Sequence, residues 1–191
     1  MTDFEFIFVL YSLVLGLSLV ELLSGFGRTL EHTFAKEAQQ RRFRLGWLTP
    51  LLGIFVLLDL MSFWMFAWNV RALVTVSPFT LLCVMAFAST YYLAARLVFP
   101  TTPAIFDDLD THYFRVWRIV LALLTVLVIV QWAWLLSLEP LREALLTLRS
   151  VSLTILFLIL MTAAMTTRST TWNAVLLIAL SVRYLALYLF A

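Results

Sequence analysis

Cysteine, lysine and histidine are nearly missing from this chain of 191 residues. The single cysteine, Cys83, lies inside an apolar run, so no disulfide can form within the chain and the redox compartment stays unread. Lys36 is the only lysine among 13 basic residues. That arginine bias points to a GC-rich bacterial genome rather than to a mechanism. The 2 histidines, His32 and His112, fall in connections between apolar runs. This placement excludes bis-histidine haem between spans and a Ser–His dyad within a bilayer. No GxSxG, HExxH or glycine-rich phosphate loop is present. An enzyme is therefore not expected, and no cofactor is implied.

Charge is scarce as well. Only 13% of residues are charged and 63% are hydrophobic, with a mean hydropathy of +1.01, against roughly 25% and 45–50% in soluble domains. Such a chain has too little polar surface to cover a soluble globule. The fold class expected is all-α: a polytopic integral membrane protein forming a single transmembrane domain over residues 1–191. A net charge of +2 gives nucleic-acid binding no support. The opening "MTDFEF" is acidic where a signal peptide has a basic region, so the first apolar run is expected to remain as a membrane helix.

A bilayer core takes about 20 apolar residues in helical form. Six runs qualify, at about residues 6–26, 48–70, 79–99, 116–136, 148–166 and 172–190. Between them lie breakers: Ser77-Pro78, Pro100 to Pro103, Glu139-Pro140 and the polar run Thr166 to Thr171. Orientation follows from the cations. Arg28, Lys36, Arg41, Arg42, Arg44, Arg96, Arg115, Arg118 and Arg168 fall on one side, and only Arg71, Arg142 and Arg149 on the other. The imbalance predicts a basic cytoplasmic loop at 28–47, both termini on the non-cytoplasmic side, and residence in a bacterial inner membrane. The loop is expected to continue the first helix. Arg41, Arg42 and Arg44 would then attract anionic lipid at about 1 kcal/mol each.

Charges inside the spans are the candidate functional groups. A central Arg or Asp costs about 2.5–3.5 kcal/mol to insert, so such residues turn inward and find partners. Arg183 lies about 16 Å above Trp172 and Asp59 about 16 Å above Leu48, at 1.5 Å per residue. Equal height predicts an Asp59–Arg183 pair. Glu21 and Arg96 form a second expected pair nearer the cytoplasmic side. Ser18, Glu21, Gly25 and Arg28 recur at spacings of three and four, so they share one face of the first helix. Small residues there let another helix approach. The stripe of Phe8, Leu15, Leu19 and Leu22 is left for lipid or other helices.

Two further groups deserve placing. Trp64, Trp68, Asn69, Arg71, Gln131, Trp132 and Trp134 reach the outer ends of the second and fourth spans. They form either an interfacial aromatic belt or the wall of an outer vestibule. Asp107, Asp108 and Asp110 suggest a metal or diphosphate site. A single such motif, before a helix whose dipole favours acidic residues, reads more simply as a helix start, so no metal is expected. The functional expectation is a small channel or transporter for ions or small polar solutes, with Glu21 and Asp59 as gating or proton-linked groups. The alternative is a non-catalytic accessory or scaffold subunit of a larger membrane complex. A bundle this small is expected to form homo-oligomers or to dock on a membrane partner.

Overall fold

A computed structural model describes residues 2–38, 46–102 and 108–190. Among these residues the chain forms seven helices: α1 (Asp3–Ala38), α2 (Leu48–Asn69), α3 (Pro78–Val98), α4 (Leu109–Ser137), α5 (Glu139–Leu145), α6 (Leu148–Thr166) and α7 (Thr170–Phe190). Six of them, all but α5, are long and apolar enough to cross a membrane. Their starts follow local chemistry. Ser77 caps α3, its side chain accepting from Thr80 N at 3.0 Å, with Pro78 in the first turn, where a missing N–H costs nothing. Thr147 caps α6 in the same way.

Helix α2 is the axis of the bundle and packs against α1, α3, α4 and α7; α6 leans on α7 and α4. The buried core joins Phe55, Leu60 and Phe63 of α2 to Tyr91 of α3, Leu121 and Leu124 of α4, and Leu177 and Leu180 of α7. Both ends of the bundle are tied by polar contacts. At the face where α1 begins, Val76 N donates to Asp3 Oδ2 at 3.1 Å, and Phe4 meets Trp68 edge-on. At the opposite face, Thr49 Oγ1 donates to Leu109 O at 3.0 Å and Tyr113 OH donates to Asn173 Oδ1 at 2.8 Å. His112 Nε2 lies 3.3 Å from Leu97 O, holding the start of α4 to the end of α3.

Phe99, just past α3, explains two glycines. A Cβ on Gly25 or Gly53 would stand 2.6 or 2.8 Å from Phe99 atoms, so α1 and α2 can close on this ring only where they lack side chains.

Several sequence expectations change. Of the two surroundings left open for the stripe, Leu15 and Leu22 take other helices, and Val9, Leu13, Leu17, Val20 and Leu23 are among the exposed residues of α1. Both histidines sit within helices rather than in connections: α1 runs on past His32, and α4 starts seven residues before Val116 and so includes His112. The short α5 was not expected; Pro140 starts it where the sequence suggests only a break. In the basic segment 28–47, α1 continues through Lys36 to Ala38, while Arg41, Arg42 and Arg44 lie outside the described residues.

Candidate functional site

Asp59 lies halfway along α2 and has no exposed surface. An ionised carboxylate there would be costly unless it found partners. Its Oδ1 accepts a hydrogen bond from the Tyr184 hydroxyl of α7. Three other tyrosines donate to α2 carbonyls within about a turn of it: Tyr91 OH to Val56 O at 2.5 Å, Tyr188 OH to Leu58 O at 2.7 Å, and Tyr11 OH to Phe63 O at 3.2 Å. Helical carbonyls already bonded along the chain keep a second lone pair, and these hydroxyls use it. Ser62 Oγ closes the ring on Asp59 O at 2.6 Å. The carboxylate is thus set in a cage of hydroxyls supplied by α1, α3 and α7.

The cage is incomplete in one place. Among the described residues, Asp59 Oδ2 is buried with no hydrogen-bond partner, and Arg183 Nε is buried with none. The direct Asp59–Arg183 pair expected from equal depth is replaced by a looser arrangement. The Arg183 guanidinium lies 4.7 Å from the centre of the Phe157 ring and 5.2 Å from that of Tyr184. Stacking on aromatic faces is worth about 2 kcal/mol or more for a desolvated cation. Tyr184 therefore serves both charges, its hydroxyl toward Asp59 and its ring toward Arg183.

The second charge site is built differently. Arg96 Nη1 donates directly to Glu21 Oε2 at 2.9 Å, joining α3 to α1, and Arg28 Nη2 lies 3.9 Å from the same oxygen. Glu21 is partly exposed, and its neighbours Ser18 and Gly25 lie on the face that meets α3. This is a direct clamp between two helices, with Arg28 as an added cation.

The outer group divides. Gln131 and Trp134 line a cleft of about 250 Å³ between α1, α2, α3 and α4, together with Tyr11, Phe66 and Phe87. Trp64, Trp68, Asn69, Arg71 and Trp132 do not line it. Trp64 and Trp132 pack on the core; Trp68 and Asn69 are exposed. The Arg71 guanidinium stacks 4.6 Å from the Trp68 ring and donates to Trp68 O at 3.0 Å. Two of the seven expected vestibule residues thus line the cleft, and the other five do not.

The aspartates near α4 hold helix ends. Asp108 caps α4, accepting from Asp110 N at 2.8 Å. Asp110 Oδ1 accepts from Leu48 N at 3.1 Å and so caps α2 from across the bundle. Gly46, at φ +57, makes the turn into α2 beside it, where a Cβ would strike the Asp110 carboxylate. Asp107 lies outside the described residues. Among the described residues, no three His, Cys, Asp or Glu side chains come together in a way that could hold a metal ion.

Sequence reasoning overlooked the tyrosines. Their signal is position: tyrosine is enriched at membrane interfaces, whereas Tyr91 and Tyr184 fall well inside apolar spans. No known protein family, curated protein or solved structure matches this chain.

Proposed function

We propose that this chain is a small membrane transport protein for ions or small polar solutes, with Asp59 as its proton- or cation-linked group. The observation that carries this reading is the contrast between the two charge sites. Glu21 receives its cation directly, as a helix clamp does. Asp59 sits deeper, fully buried, with one oxygen unpartnered and its cation held off on aromatic rings. A buried carboxylate only partly compensated in this way is a group that a proton or a cation can join. The hydroxyls of Tyr184 and Tyr91 can serve either form, since a hydroxyl both donates and accepts. Tyr11 leads outward from this cage, since its side chain also lines the outer cleft.

The loop cations support a bacterial inner membrane as the location, with both termini on the non-cytoplasmic side and anionic lipid against the basic segment. The second reading, an accessory or scaffold subunit, draws on α6. It is the least buried of the six spans and leaves apolar residues such as Ile155 and Ile159 uncovered, as a helix awaiting a partner helix would.

Reconstitution in liposomes loaded with a pH-sensitive dye tests the first reading, with a potassium diffusion potential driving proton entry. Flux should exceed that of empty liposomes and fall at least about tenfold in Asp59→Asn, the size of effect expected for loss of a positioned proton-transferring group. Flux equal to empty liposomes, or unchanged by the substitution, would favour the subunit reading. Co-purification of a stoichiometric membrane partner from native membranes would then support it.

A further inference from the structure

Beyond its link to the cage through Tyr11, the outer cleft has a chemistry that the proposed transport role does not use. Its wall is almost wholly apolar and rich in aromatic rings, with Phe66 and Trp134 meeting edge-on at 6.0 Å between ring centres. Phe79, Cys83 and Val130 are exposed at its α3 and α4 side, so it opens sideways into the lipid rather than along the bundle axis. Gln131 is a polar member of the lining, and its half-buried side chain carries a carboxamide that can donate to a carbonyl or hydroxyl of a bound group.

The volume narrows the ligand. A dry cavity of about 150 Å³ holds a benzene ring. The cleft, at about 250 Å³, has room for one substituted ring but not for a whole drug-sized molecule, whose sites begin near 300 Å³. Flat aromatic walls favour a flat ring set edge-on or offset against them. The lateral opening leaves any attached chain in the bilayer. No charged side chain lines the cleft, which disfavours an ionic head.

We infer that this cleft binds the head of a neutral, lipophilic, carbonyl-bearing ring compound of the quinone type, with Gln131 donating to the carbonyl and the tail lying between lipids.

The full chain in nanodiscs made of quinone-free lipid provides the test, with a short-tailed benzoquinone as the probe. The quinone should quench tryptophan fluorescence saturably, and Trp134→Phe should remove most of that quenching. Gln131→Leu should weaken binding about tenfold, the loss of one net hydrogen bond. In parallel, bound quinone should slow labelling of Cys83 by a lipophilic maleimide, a readout that needs no variant. Non-saturable quenching would overturn the inference, as would equal affinity in Gln131→Leu. A ring-free alkyl ester that protects Cys83 equally well would show an ordinary lipid chain in the cleft instead.

Discussion

Asp59 and Glu21 are both carboxylates in apolar helices, and their surroundings assign them different work. Glu21 meets Arg96 head-on, with Arg28 as a second cation near the same oxygen. A double-substitution cycle of Glu21→Gln and Arg96→Gln should show a coupling of about 1–2 kcal/mol in thermal unfolding. Asp59 depends instead on Tyr184, which donates to one of its oxygens. Tyr184→Phe should destabilise the protein by about 1–3 kcal/mol, because it leaves that oxygen buried and unbonded. Asp59→Asn keeps an acceptor for the hydroxyl and removes the charge, so it should unfold near the wild-type temperature. These outcomes would separate a structural tyrosine from a functional aspartate. Depth arithmetic put Asp59 and Arg183 at one level, and the structure places both against Tyr184. What each touches was not legible. Tyr184 competes for the carboxylate and the faces of Phe157 and Tyr184 compete for the guanidinium, and sequence spacing carries no information about that competition.

Between elements, the closest approach is organised by Phe99 against Gly25 and Gly53. Gly25→Leu or Gly53→Leu should cost about 1–3 kcal/mol through overpacking, and Phe99→Ala should recover part of the loss by opening space. Helix ends carry a second prediction. Asp108→Ala and Asp110→Ala each remove a cap and should cost about 1 kcal/mol. Adding magnesium should leave the unfolding temperature of the wild type unchanged, whereas a metal site would raise it. The spans were legible because length and hydropathy alone decide which segments can cross a membrane. Small residues on the Glu21 face of α1 also marked a helix contact, and Gly25 meets Phe99 there. Less visible was the burial of Leu15 and Leu22. In a membrane chain, lipid-facing and core-facing residues are equally apolar, so a hydrophobic pattern does not tell them apart. The cap that Asp110 gives α2 joins residues 62 apart in the chain, a contact that no local motif announces.

At the scale of the whole molecule, α2 is one of six apolar helices and packs against four of the others, and the tyrosine cage draws on three of those four. α7 holds the carboxylate through Tyr184, and α3 and α1 bond the α2 carbonyls around it, so three helices meet α2 beside one buried group. In the transport role proposed above, a change in the protonation of Asp59 would act first on its contact with α7. The central claim is that Asp59 itself gains and loses a proton. Infrared difference spectra of oriented proteoliposomes, recorded across a pH step, measure this most directly. The account predicts a buried carboxylic-acid band that appears on acidification, shifts in Tyr184→Phe and is missing from Asp59→Asn. Proton flux with no Asp59-dependent band would contradict it.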